Sequence, residues 1–241
     1  MQTTPAAVGV VLAAGMGTRV GADGNKAYLP LAGRSMVSWS VEAVAQSTSI
    51  ARTVLVFRRG ERDLAARTLA AELPHVAVEL VEGGDTRHGS EENVLRHLAP
   101  DIESGAIDVV LIHDAARPLA GPAMMDTALT TARAFGGAIP VLPATDVVKT
   151  DAGGELSPAA GTLVRVQTPQ AFRAQPLLTA YRLAAGGSFE GTDTASCVQS
   201  FTDVEVRVFP GASTNLKVTF ASDVRLAERL LQDGISRDGR R

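Results

Sequence analysis

Strand and helix signals alternate along most of this 241-residue chain. That alternation predicts an α/β fold with a mostly parallel sheet and helices on both faces. Two further observations support it. The first apolar run feeds directly into a glycine-rich loop, and a later apolar run is followed at once by an acidic residue, Asp114. Both features belong at the C-terminal edge of a parallel sheet, where open α/β folds hold their ligands.

Each element follows from its local pattern. Val8 to Leu12 is short, apolar and rich in β-branched residues, as a parallel strand buried on both sides should be. Ser35 is placed to cap a helix running to Gln46. Thr53 to Phe57 reads as a strand, Asp63 to Leu73 as a helix, and Val76 to Val81 as a strand. Ser90 to Leu98 reads as a helix that Ser90 can cap. Asp108 to Ile112 is the next strand, Ala123 to Ala134 a helix, and Gly137 to Leu142 a fifth strand. The alternation then breaks near Pro143. Asp146 to Lys149 and Leu163 to Val166 flank Asp151-Ala-Gly-Gly154, a turn pattern, and predict an antiparallel hairpin leaving the sheet. Pro176 to Ala185 and Asp223 to Gln232 are further helices around a strand at Val204 to Phe209. Neither a repeat nor a linker is visible, so one domain is expected. Asp233 to Arg241, charged and glycine-containing, is expected to be a disordered tail.

Composition excludes several classes. A net charge of −3 gives no reason to expect nucleic acid or an anionic membrane as partner. Any polyanion handled here must be small and held by a local positive pocket. Cys197 is the sole cysteine, so no intramolecular disulfide can form, and no motif marks it as a nucleophile. Met1 to Val8 lack the charged start and apolar core of a signal peptide, and no apolar run approaches the ~20 residues of a membrane span. A cytoplasmic protein is expected.

The cations are unevenly spelled. Three lysines stand against twenty arginines, and Lys26, Lys149 and Lys217 each fall in a segment with other site features. An ammonium is a compact point charge that fits between phosphate oxygens, whereas guanidinium is a broad fork. Around Lys26, the run Leu12-Ala-Ala-Gly-Met-Gly-Thr-Arg19 turns out of the first strand with few side chains in the way, a geometry that cradles phosphates. It is not the dinucleotide fingerprint, because Val20 stands where a third glycine is needed. Nor is it a P-loop, because Gly21-Ala22 replaces Gly-Lys-Ser/Thr. Asp114, in His113-Asp-Ala-Ala-Arg117-Pro118, suits a Mg²⁺ that keeps most of its waters and takes other ligands from phosphates. His113 itself is read as packing against the sheet. Glu82-Gly-Gly-Asp85-Thr-Arg87-His-Gly-Ser90 permits close ligand approach, and Asn215-Leu-Lys217 can bring a cation from the far side.

Taken together, these motifs resemble a known family. Leu12-Ala-Ala-Gly-x-Gly-Thr-Arg19 with Lys26, Gly84-Asp85-x-Arg87-x-x-Ser90, His113-Asp-Ala-Ala-Arg-Pro118, Gln167-Thr-Pro-Gln-Ala-Phe172, Thr192-Asp193 and Asn215-x-Lys217 run in the order of the 2-C-methyl-D-erythritol 4-phosphate cytidylyltransferases, from about residue 8 to 232. The resemblance implies a single Rossmann-like nucleotidyltransferase domain over residues 1–232, with a β-arm at about 143–170 that joins a homodimer. It implies CTP and a polyol phosphate as substrates and Mg²⁺ or another divalent cation as cofactor. Arg19, Lys26 and Lys217 are its implied catalytic residues. The implied nucleotide site holds Ala13, Ala14, Gly15, Gly17, Thr18, Gly84, Asp85, Arg87, Ser90 and Ala115. Asp114, Arg117, Thr168, Thr192 and Asp193 would bind the acceptor, with Asp114 also at the metal.

Two positions depart from the family pattern. Val147 stands where the arm usually carries a threonine, and Ala160 stands where the arginine for the acceptor phosphate is expected. Arg165 is the nearest cation, but five residues along a strand is roughly 17 Å and an odd offset turns it to the other face. Both losses fall in the acceptor site, so ribitol 5-phosphate remains an alternative acceptor. A catalytically inactive nucleotide-binding relative is the alternative from another class.

Overall fold

The computed structural model describes residues 6–15, 24–158, 161–187, 189, 191 and 193–233. Four of the sequence-derived site candidates (Gly17, Thr18, Arg19 and Thr192) lie outside them, as do Ala160 and residues 234–241 of the expected tail.

In chain order the structure runs β1 (Ala6–Leu12), β2 (Pro30–Leu31), β3 (Arg34–Ser35), α1 (Met36–Ala45), β4 (Ile50–Phe57), α2 (Arg62–Glu72), β5 (Val78–Glu82), α3 (Arg87–Glu103), β6 (Ile107–Asp114), α4 (Pro122–Phe135) and β7 (Gly136–Pro143). It continues with β8 (Val148–Thr150), β9 (Leu156–Pro158), β10 (Val164–Val166), β11 (Gln170–Arg173), α5 (Ala174–Ala184), α6 (Thr194–Phe201), β12 (Glu205–Pro210) and α7 (Ala221–Gln232). The main sheet follows the order β10-β7-β11-β6-β1-β4-β5, with β12 also paired to β7. β6, β1, β4 and β5 are mutually parallel, β12 runs parallel to β7, and β10 and β11 are antiparallel to their neighbours. The parallel α/β architecture read from the sequence is therefore present.

Alternate residues of the parallel strands feed two cores. Val11, Leu55 and Leu111 pack with α1, α2 and α4 on one face. Val10, Val54, Val56 and Ile112 pack with α3, α5 and α6 on the other. Burial on both faces is why these strands read as continuous apolar runs. A third cluster docks α7 through Ala227 against Leu31, Met36, Leu119 and Val218, which ties the C-terminal segment to one side of the sheet's mouth.

Three readings need correction, and one helix was not anticipated. Val148–Thr150 pairs with Leu156–Pro158, not with Leu163–Val166; the latter run pairs with Val141–Pro143 at the end of β7. The tight turn decides this. The Asp151 carboxylate accepts from the amides of Gly153 and Glu155 at 2.9 Å each, so the chain reverses before it can reach residue 163. α3 starts at Arg87 and is capped by Thr86, whose hydroxyl accepts from the Gly89 amide; Ser90 lies inside the helix instead. Ser35 occupies the position before α1 but makes no side-chain cap, because its hydroxyl is taken by Ser38 and Glu72. α6 was not anticipated. From Thr145 to Val166, every described residue whose side chain is placed is exposed, as expected for an arm that leaves the sheet.

Gly9 sets how closely α1 approaches β1. A Cβ there would lie 2.2 Å from Cγ1 of Val44, a buried β-branched side chain with little room to yield. Gly9→Ala is expected to lower stability by about 1–3 kcal/mol in urea denaturation, the usual cost of overpacking a filled core. A change under about 0.5 kcal/mol would contradict this close packing.

Candidate active site

A cleft of about 330 Å³ opens where β1, β5 and β6 end. Its walls are the segments that follow those strands: Leu12 to Gly15, Gly84 to Arg87 with Ser90, and Asp114 to Ala116. Asn25, Lys26, Ala27 and Lys217 complete it from the other side. Lys26, Arg87, Asp114 and Lys217, distant in sequence, thus share one hollow.

Asp114 is the last residue of β6 and its carboxylate faces three cations. Lys217 Nζ lies 2.8 Å from Oδ2, Arg87 Nε 3.7 Å from Oδ1, and Arg117 Nε 4.0 Å from Oδ2. Burial opposes ionisation of Asp114, yet Lys217 and Arg87 hold its carboxyl well below the usual carboxylate range. With Lys26, the cations Arg87, Arg117 and Lys217 outweigh Asp114 and Glu91, the two buried acids they meet, and Asp85 at the rim. A locally positive hollow in a chain of net charge −3 is built for a compact polyanion.

A hydrogen-bond chain behind Asp114 fixes its backbone. Its amide donates to Thr168 Oγ1 at 3.0 Å, and the Thr168 hydroxyl meets His113 Nδ1 at 3.1 Å. His113 Nε2 lies 3.1 Å from the Arg117 carbonyl. A carbonyl only accepts, so Nε2 carries the proton and Nδ1 accepts from Thr168. Burial pushes the His113 imidazole down to about 4, so it is neutral at working pH and positions rather than titrates. Its reading as a packing residue holds. Thr168 therefore acts on Asp114 from beneath the cleft.

Lys217 is held by a second buried network. Gln167 Nε2 donates to the carbonyls of Ala212 (2.9 Å) and Asn215 (3.1 Å), and Asn215 Nδ2 donates to the Thr168 carbonyl at 2.9 Å. Arg117 Nη1 also donates to the Asn215 carbonyl at 2.8 Å, and the Val218 amide donates to Ala116. The loop before α7 is thereby stitched to the ends of β6 and β10. Lys26 Nζ donates to the Val218 carbonyl at 2.9 Å, which sets the two lysines on adjoining walls. Asn25, which the sequence reading passed over, supports this corner. Its side chain donates to the Ala13 carbonyl and Glu61 and accepts from Ala27, capping the short 3₁₀ turn Lys26–Tyr28.

Ala13, Ala14, Gly15, Gly84, Asp85, Arg87, Ser90 and Ala115 all line the cleft. The Ala13 amide is spent on the Val56 carbonyl, so it is not available to a ligand in the cleft. The bend after β5 needs glycine: a Cβ on Gly83 would lie 2.5 Å from Ala14 Cβ, and one on Gly84 2.7 Å from the Gly89 backbone. Ser90 Oγ accepts from the Gly84 amide at 3.1 Å and so holds that bend. Three expected acceptor-site residues are not part of the cleft lining. Arg117 and Thr168 stand behind Asp114 as described. The Asp193 carboxylate accepts from the Ser196 amide at the start of α6 and from Gln170 Nε2. Arg165 pairs with Asp146 within the arm.

The donor set allows a hard cation only with help from ligands. The described residues include no group of three His, Cys, Asp or Glu able to hold a metal. One buried carboxylate, Asp114, stands where phosphates would enter, which fits a Mg²⁺ that draws its other ligands from water and substrate.

The sequence profile of the 2-C-methyl-D-erythritol 4-phosphate cytidylyltransferase family matches residues 7–233. The chain belongs to that family. A family member from Cereibacter sphaeroides is 39% identical over 230 residues, covering 92% of this chain and 95% of its own. One from Synechococcus elongatus is 37% identical over 227 residues, with the same coverage. The crystal structure of the Thermus thermophilus cytidylyltransferase is 30% identical, with a TM-score of 0.68 over 92% of this chain and 98% of that one. The 4-diphosphocytidyl-2C-methyl-D-erythritol synthase of Anaerococcus prevotii, at 24% identity and a TM-score of 0.82 over 95% and 96% of the two chains, shares the fold.

Asn215 is fully buried and joins the Lys217 loop to Thr168. Asn215→Ala is expected to cost about 1–3 kcal/mol in denaturant unfolding, since the Thr168 carbonyl loses its partner. Turnover should fall as the lysine's loop loosens. Unchanged stability and unchanged turnover would together refute the stitching role.

Proposed function

We propose that this chain transfers the cytidylyl group of CTP to 2-C-methyl-D-erythritol 4-phosphate, giving 4-diphosphocytidyl-2-C-methyl-D-erythritol and pyrophosphate. Beyond family membership, one observation carries the reading: Lys26, Arg87 and Lys217 converge on a cleft at the sheet's C-terminal edge around a single buried carboxylate.

An oxygen of the acceptor's phosphate attacks the α-phosphorus of CTP, and the bond from that phosphorus to the β-phosphate bridging oxygen breaks. A phosphate monoester has its second pKa near 6, so it arrives mostly dianionic and needs no general base. What the reaction needs is relief of repulsion between two polyanions and stabilisation of charge on the leaving oxygens. Lys26, with Arg19, holds the triphosphate and the departing pyrophosphate. Lys217 meets the incoming phosphate, and the backbone of Ala14, Gly15 and Gly84 with Asp85 receives the nucleotide. Asp114 would hold a divalent cation together with substrate phosphates. Such a cation would supply charge neutralisation to the phosphates beside Asp114.

Wider expectations follow from this reading. No described helix is long and apolar enough to cross a membrane, and a cytoplasmic enzyme is proposed. A homodimer through the arm is proposed as well; Val147, Val148, Leu163, Val164 and Val166 are apolar side chains exposed on it.

Lys26→Ala, Lys217→Ala and Arg19→Ala are expected to fold and to lose about 10²–10³ in kcat, the usual cost of one charge-stabilising donor. The measurement is pyrophosphate release with CTP, Mg²⁺ and methylerythritol phosphate. Retention of more than about a third of turnover by any of them would remove that residue from its role. Chelation with EDTA should abolish release and added Mg²⁺ should restore it. In a parallel panel, preference for ribitol 5-phosphate over methylerythritol phosphate would overturn the acceptor assignment.

A further inference from the structure

Glu91 is a carboxylate with 1% exposure on α3, outside the cleft lining. Its oxygens accept the Thr194 hydroxyl at 2.5 Å and the Tyr181 hydroxyl, and Arg87 Nη1 lies 2.6 Å from Oε1. A buried carboxylate tying α3 to α5 and α6 would be an ordinary structural anchor. The direction of Arg87 argues for more. The same guanidinium reaches Thr194 through Nη1 at 3.4 Å and turns Nε toward Asp114 at 3.7 Å, on the lining of the nucleotide cleft. A guanidinium is a rigid planar fork, so fixing Nη1 fixes where the rest of the plane points.

We propose that Glu91 is a positioning residue: it anchors Arg87 from behind, so that the guanidinium stays at the cleft wall facing the nucleotide instead of collapsing onto Asp114. Asp114 then keeps its close contact with Lys217 at Oδ2, while Arg87 meets Oδ1 only at 3.7 Å. Burial pushes the Glu91 carboxyl up and Arg87 opposes that shift, so each ion needs the other in place. The proposal rests on the reading that this cleft binds CTP.

The test is calorimetric titration of CTP with Mg²⁺ into the full-length protein, read beside thermal melts. Glu91→Gln keeps the shape and one hydroxyl acceptor, gives the other hydroxyl an amide donor instead, and removes the charge. It should weaken CTP binding at least about fivefold, within the range seen when a supporting partner of a binding residue is lost. Added to Arg87→Gln, the same change should shift the Kd by less than about twofold, because it acts through Arg87. Tyr181→Phe should lower the Tm but leave the Kd within about twofold, since the ion pair survives. Wild-type affinity in Glu91→Gln, full additivity in the double variant, or equal weakening by Tyr181→Phe would each overturn the proposal. Should Glu91→Gln fail to fold, Arg87→Lys decides. An ammonium cannot hold Glu91 and face the cleft together, so unchanged CTP affinity there would overturn it. Wild-type protein that binds no CTP would instead overturn the functional reading, and this inference with it.

Discussion

The Asp114 carboxylate at the end of β6 is what lets three cations gather at one small hollow and its rear wall. Lys217, Arg87 and Arg117 would repel one another if gathered around water alone. A buried anion among them, ionised despite its burial, holds them in place before any substrate arrives. It does not cancel them. The surplus of positive charge is the property a reaction between two phosphorylated molecules requires, and it exists in advance, with no reorganisation at the moment of bond making.

The rest of the fold maintains that arrangement. Parallel strands buried on both faces bring the ends of β1, β5 and β6 to one edge, and Gly83 and Gly84 let the chain pass there without side-chain clash. Thr168 and neutral His113 fix Asp114 through its own backbone, while Gln167 and Asn215 bind the Lys217 loop to the same place. Buried polar groups of this kind are tolerated only when partnered, so the network specifies one arrangement of the cleft wall.

How much of this was legible depended on range. The parallel strands, the glycine-rich bends, Lys26, Asp114 and Lys217 are visible in the sequence because each is marked by local pattern: apolar runs, turn residues, a charge just past a strand. Glu91 was invisible because it reads as one more acid on a helix whose exposed face carries Glu92 and Arg96; only the approach of α5 and α6 buries it. Asn25 and the Gln167–Asn215 contact were missed for the same reason, their partners lying far off in sequence. The arm was misread because two apolar, β-branched runs looked like partners, while the Asp151 turn closed a shorter hairpin first. α6 carried a start signal that the sequence reading did not use: Asp193-x-x-Ser196 is a capping box.

The most direct test of the central claim is a crystal structure of this protein with CTP and a divalent cation. The triphosphate should lie between Lys26 and Lys217, beside Arg87, with Asp114 facing the cation. A triphosphate touched by neither lysine, or a nucleotide seated away from the ends of β1 and β6, would contradict the account.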